Sequence, residues 1–167
     1  MLFPSSLLCE EQQLASQLSW PIESFQRTRR MFEKRAVNSL MPLTAFQTLL
    51  CKFGLSVTHS ARYCHVLKAQ STFGSPPDCI NYAEFLFALA LWDPNTPHGG
   101  EWGRRRAHFI FQLYDVDGDG VLSFNDFKLM VRHLRKIRKL PVDDAQVHAN
   151  AQELATVFVR ISMILHD

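Results

Sequence analysis

One stretch constrains this chain more than any other: Asp115-Val116-Asp117-Gly118-Asp119-Gly120-Val121-Leu122-Ser123-Phe124-Asn125-Asp126. Carboxylates stand at the first, third, fifth and twelfth of its twelve positions. A glycine stands at the sixth, an aliphatic residue at the eighth and a hydroxyl at the ninth. A helix cap needs one carboxylate, and this stretch carries four. A hard divalent cation does need such a set. Ca²⁺ takes about six to eight oxygen ligands at roughly 2.3–2.6 Å, and a short loop supplies them only by wrapping round the ion. Gly120 permits the bend, because glycine reaches positive φ without a Cβ penalty. The candidate ligands are Asp115, Asp117, Asp119, the Val121 carbonyl, Ser123 (directly or through water) and Asp126. Leu122 is expected to point into a core.

With its flanks, from Phe111 to Phe127, the stretch resembles an EF-hand, with an entering helix, an ion loop and an exiting helix. One residue departs from that pattern. The family usually places Glu at the twelfth position, where both oxygens grip the ion, and this chain has Asp126. One methylene shorter, Asp126 is expected to ligate through a single oxygen, and fewer ligands suit the smaller Mg²⁺. The ion is therefore Ca²⁺ or Mg²⁺.

A recurrence near forty residues extends the pattern upstream. An aliphatic residue five positions before a phenylalanine appears as Leu122/Phe127, as Ile80/Phe85 and as Met41/Phe46. Such a period predicts tandem helix-loop-helix units. The aligned ligand positions one, three, five and twelve are Lys34, Ala36, Asn38 and Ala45 in the first unit, and Phe73, Ser75, Pro77 and Glu84 in the second. Neither set can hold a divalent ion. Met41 and Ile80, at the eighth positions, are expected to pair as a short antiparallel ribbon, and Leu122 has no such partner.

The expected architecture is all-α, with tandem EF-hand units in two lobes. Residues 1–20 form an N-terminal helical extension. Residues 21–92 form a lobe of two degenerate hands, 93–103 a linker, and 104–167 a lobe with the ion-binding hand and the start of a fourth. Predicted helices cover Ile22–Phe32, Leu43–Phe53, Thr58–Ala69, Asn81–Leu91, Arg104–Tyr114 and Phe124–Lys139, with a last helix or pair within Val142–Leu165. Pro42 opens and Gly54 closes the second of these. Asn81 and Ser123 read as N-caps, each with an acidic residue three later. Asp93-Pro-Asn-Thr-Pro-His-Gly-Gly100 cannot continue a helix. The run Val157, Phe158, Ile161, Ile164 and Leu165 resembles the entering helix of a fourth hand, with Asp167 as the first residue of an incomplete loop. Either the chain continues past this point, or another chain or segment completes the pair.

Composition narrows the function. The 167 residues are 47% apolar with thirteen phenylalanines, ample for a core. A formal charge of +2 implies no general affinity for nucleic acid. Basic clusters at Arg27–Arg35, Arg104–Arg106 and Arg132–Lys139 read as solvated helix faces. Cys9, Cys51, Cys64 and Cys79 show no CxxC or zinc spacing and read as reduced thiols of a cytoplasmic protein. The N-terminus lacks a basic region before its apolar run, so no signal peptide is expected. No phosphate loop, GxSxG or HExxH occurs, so no enzyme is expected.

Over roughly Pro21 to Asp167 the pattern is similar to calcium-binding proteins of the calcineurin-B and neuronal-calcium-sensor type. That resemblance implies a non-catalytic protein gripping an amphipathic helix of a target in an apolar groove. The expected groove residues are Phe109, Phe111, Phe127, Leu129 and Met130, with Arg132 and Arg135 at the rim. The alternative is a regulatory EF-hand segment of a larger kinase or phosphatase polypeptide. A membrane-surface contact through Arg132–Lys139 and the apolar N-terminus is a third reading and not the expected partner. The surface around Leu122, Phe158 and Ile161 is expected to self-associate or to capture a partner segment.

Overall fold

The computed structural model describes residues 14, 16–18, 20–93, 95, 96 and 99–164, with 137 and 157–164 by backbone alone. The fold is all-α. Its helices are α1 (Ile22–Glu33), α2 (Leu43–Lys52), α3 (Val57–Gln70), α4 (Tyr82–Trp92), α5 (Gly100–Tyr114), α6 (Phe124–Ile137) and α7 (Asp144–Ile164). Strands β1 (Met41–Pro42) and β2 (Cys79–Ile80) form a two-stranded ribbon. Of the expected extension, Leu14 and Leu18 are described and buried. Cys9, Leu165, Asp167 and the side chains of Val157, Phe158, Ile161 and Ile164 lie outside the described residues. No helix among the described residues is long and apolar enough to cross a membrane.

Local chemistry sets most boundaries. Pro42 precedes α2, and Gly54 at φ 104° ends it, the Gly54 amide donating to the Cys51 carbonyl at 3.0 Å. Ser56 caps α3 by accepting from the His59 amide. Asn81 caps α4, and the Glu84 carboxylate reaches back to the Asn81 amide, so two orphan donors are satisfied reciprocally. Ser123 and Asp126 do the same for α6. Helix α1 buries Phe25, Thr28 and Phe32, one stripe at helical spacing. Helix α4 instead buries Tyr82, Phe85, Leu86, Phe87 and Leu91 around its circumference, as a central helix must.

The ribbon pairs Met41 with Ile80 and Pro42 with Cys79, antiparallel. Both eighth-position residues are fully buried there, as are Phe46 and Phe85, and Phe127 is buried too. Leu122 is half-buried against the core, and no strand partner for it stands among the described residues. The loop of the first unit closes on itself. Val37 and Leu40 exchange hydrogen bonds of 2.8 and 3.0 Å across Asn38 and Ser39, both at positive φ. That tight backbone turn takes the place of an ion cradle.

The two halves share one core. Ring contacts run from Phe32 to Phe85 (5.5 Å), Phe46 (5.9 Å) and Tyr63 (6.1 Å), then cross to Phe109 on α5 at 4.7 Å. Arg106 donates from α5 to the carbonyls of Ala90 (3.1 Å) and Asp93 (2.7 Å), which ties the end of α4 to α5. Helix α5 starts at Gly100, so the chain expected as linker over 93–103 is helical from that residue. In the second half α7 lies along α6, burying Val147 and Ala151. Its first turns engage the basic face of α6. Arg132 pairs with Asp144 at 2.8 Å, and Arg135 donates to the Pro141 carbonyl, Asn150 and Gln146. Of the residues expected to line a groove, Phe109, Phe127 and Met130 are buried and Phe111 and Leu129 half-buried, and Arg132 and Arg135 bond the chain's own following segment.

Candidate metal centre

Helix α5 ends at Tyr114, and its last turn aims the chain into the acidic loop. Asp115 is buried and folds the loop around itself. One carboxylate oxygen accepts from the Gly118 amide at 2.9 Å and the other from the Gly120 amide at 3.1 Å. Asp117 accepts from the Asp119 amide, and Asp119 from the Val121 amide at 2.7 Å. Gly118 and Gly120 adopt φ of 72° and 81°, the left-handed conformation that reverses the chain tightly enough to converge the carboxylates. Ligand oxygens of Asp115, Asp117 and Asp119 lie within 4.8 Å of one another. Three anionic oxygens so close suit a hard cation and would repel one another without it.

The fourth carboxylate is placed differently. One Asp126 oxygen accepts from both the Ser123 amide (2.8 Å) and the Ser123 hydroxyl (2.7 Å), while that hydroxyl also accepts from the Asp126 amide. Asp126 thus caps α6 and lies outside the three-carboxylate cluster. Its second oxygen and the carbonyl of Val121, an exposed residue, add to what the loop can offer an ion. Asp115, Asp117, Asp119, Val121, Ser123 and Asp126 would hold a divalent cation, which would offset part of the negative charge of the loop's four carboxylates and tie α5 to α6.

A residue with no place in the loop motif braces this site. Arg62, on α3, donates to the carbonyls of Gln112 (2.8 Å), Leu113 (2.7 Å), Val116 (3.3 Å) and Asp115. It satisfies the last carbonyls of α5 at the negative end of the helix dipole, where a cation is favoured. Gln70 of the same helix donates to Gln112 at 2.8 Å. Beside them the rings of His59 (α3) and His133 (α6) meet edge-on at 3.7 Å, and His133 bonds the Tyr114 hydroxyl at 3.2 Å. Burial first, then His59 and Lys136, push His133 down to about 4. Burial and the charges of Lys136 and Arg62 also lower His59. Both imidazoles are therefore neutral at pH 7. Cys64 and His65 diverge, with Cys64 buried and His65 exposed, and burial pushes the Cys64 thiol up to about 12.

Residues 106–134 match the family model described as the EF hand domain. The match covers most of α5, the loop and most of α6. It implies divalent-cation binding, typically of Ca²⁺, at the carboxylate cluster just described. Comparison with curated proteins finds no matching relative.

Proposed function

We propose that this chain is a non-catalytic regulatory or adaptor protein of the cytoplasm. It binds one divalent ion at Asp115–Asp126 and an amphipathic helix of a target protein. The observation that carries the reading is the convergence of Asp115, Asp117 and Asp119 within 4.8 Å at the mouth of two helices. The other two units offer no comparable set. The first loop is closed by its own turn, and the second has Phe73 where the ion loop has Asp115.

The place for a helix is a cavity of about 490 Å³ in the first half of the chain. Trp20, Met31, Phe46, Leu50, Phe53 and Trp92 line it, with Arg27 and Asp93 among its polar residues. Phe53 and Trp92 are exposed, unlike the buried rings around them. A cylinder of apolar anchors at i, i+3, i+4 and i+7 fits a groove of this chemistry.

Isothermal titration tests the ion, with one Ca²⁺ or Mg²⁺ expected per chain and none after Asp115→Ala. Two tight sites in the wild type would overturn it. Fluorescence anisotropy of a synthetic helix with those anchors and an acidic flank tests the groove. Binding is expected to weaken at least tenfold in Met31→Glu, and equal binding by both proteins would remove the cavity from the function.

A further inference from the structure

Lys68 lies near the C-terminal end of α3, five residues before the loop of the second unit. Its ammonium nitrogen approaches four oxygens: Ser75 Oγ at 2.5 Å, Glu84 Oε1 at 3.0 Å, the Cys79 carbonyl at 3.1 Å and the Ser75 carbonyl at 3.2 Å. Counted from Phe73 as the first of twelve, Ser75 is third, Cys79 seventh and Glu84 twelfth. In the acidic loop the same places belong to Asp117, Val121 and Asp126. In the second loop a side-chain oxygen, a backbone carbonyl and a terminal carboxylate thus converge on a cation that belongs to the chain itself.

We propose that the Lys68 ammonium is the resident cation of the second helix-loop-helix unit, seated where a divalent ion would sit and holding α3, the loop and α4 together whatever the ion concentration. Charge balance agrees. Glu84 is fully buried, and Lys68 supplies one positive charge against its one negative charge. The acidic loop sets four carboxylates against a divalent ion. Glu84 is further held by the hydroxyls of Ser71 and Ser75 and by the Asn81 amide at 2.9 Å. Burial alone would raise its pKa, but these donors together with Lys68 keep it below the usual carboxylate range. The acidic loop cannot do the same for itself, because the residue five places before Asp115 is Ile110. It therefore depends on an ion from solution.

An ammonium has three donors on a flexible stem and suits a cage of carbonyl, hydroxyl and carboxylate oxygens. Truncating it leaves a cavity shaped for a primary ammonium and a buried carboxylate without its partner. Lys68→Ala is expected to lower the melting midpoint by several degrees. Propylammonium chloride should recover part of that loss, and tetramethylammonium chloride at equal ionic strength should not. An unchanged midpoint in the variant, or equal recovery by both salts, would overturn the proposal. The wild type supplies a test that needs no folded variant. The caged ammonium should give a slowly exchanging ¹⁵N-ammonium signal at neutral pH, with a coupling to Glu84. Rapid exchange of every lysine ammonium in the chain would overturn the proposal as well.

Discussion

One methylene separates Asp126 from the glutamate usual at the twelfth position of the pattern this loop resembles. The short side chain turns to Ser123 and gives one oxygen to two donors there. Asp126→Glu keeps the charge and lengthens the reach, so Ca²⁺ affinity should rise at least several-fold over Mg²⁺. Competition titration checks this, and an unchanged preference would mean that the loop already closes on Asp126. Gly120 carries the opposite dependence, on lacking a side chain. No atom would meet an added Cβ within 4 Å, so only its φ of 81° matters. Gly120→Ala should cost about 1 kcal/mol through that conformation. It should also weaken ion binding, since the Gly120 amide holds Asp115 Oδ2. Denaturant melts and titration read the two effects separately.

Helix α3 does more than fill space between its neighbours. One of its residues, Arg62, caps α5 at the ion loop, and another, Lys68, fills the loop of its own unit. Arg62→Ala leaves the last carbonyls of α5 without these partners and should cost about 1–2 kcal/mol. Urea denaturation of the ion-free protein measures it. The contact of α3 with α6 adds a pH dependence. His133 titrates near 4 in the fold against 6.5 when unperturbed. Between those values the unfolded chain binds a proton that the folded chain refuses, so stability rises with pH. The full contribution is present above about pH 6.5 and is lost as pH falls toward 4. His59 is shifted in the same direction, faced by Lys136 and Arg62. Wild type should therefore lose more stability than His133→Gln between pH 7 and pH 5. Parallel losses in the two proteins would place the dependence elsewhere.

The continuous aromatic core predicts how the molecule unfolds as a unit. Tyr63 is fully buried, donates to the Ala88 carbonyl at 2.8 Å and touches Phe46, Trp92 and Phe109. Rings from both halves thus pack on one side chain. Thermal unfolding should be a single transition by fluorescence and by far-ultraviolet circular dichroism. Two resolved transitions, one moved by Ca²⁺ and one not, would mean that the halves fold independently. Tyr63→Ala should cost about 3–5 kcal/mol, as large-to-small changes of buried aromatics do.

Features encoded at short range were legible in the sequence. The twelve-residue spacing of carboxylates and glycines marked the loop that the EF hand domain match covers. The recurrence of Met41/Phe46, Ile80/Phe85 and Leu122/Phe127 marked the buried rings and the pairing of Met41 with Ile80. Pro42, Gly54, Asn81 and Ser123 punctuate helices through their own backbone and capping chemistry, which needs no distant partner. What the tertiary structure decided depends on contacts between residues far apart in the chain. Arg62 meets Leu113 across 51 positions, and nothing near either residue announces the other. His59 meets His133 only because α3 lies across the second half. The cavity lined by Met31, Phe46 and Trp92 draws these walls from separate helices, and that choice belongs to the packing of whole helices. Even Lys68 reads from sequence as one more basic residue on a helix. Only the fold brings its ammonium to the third, seventh and twelfth places of a loop, because a charge acquires a role from the oxygens that surround it.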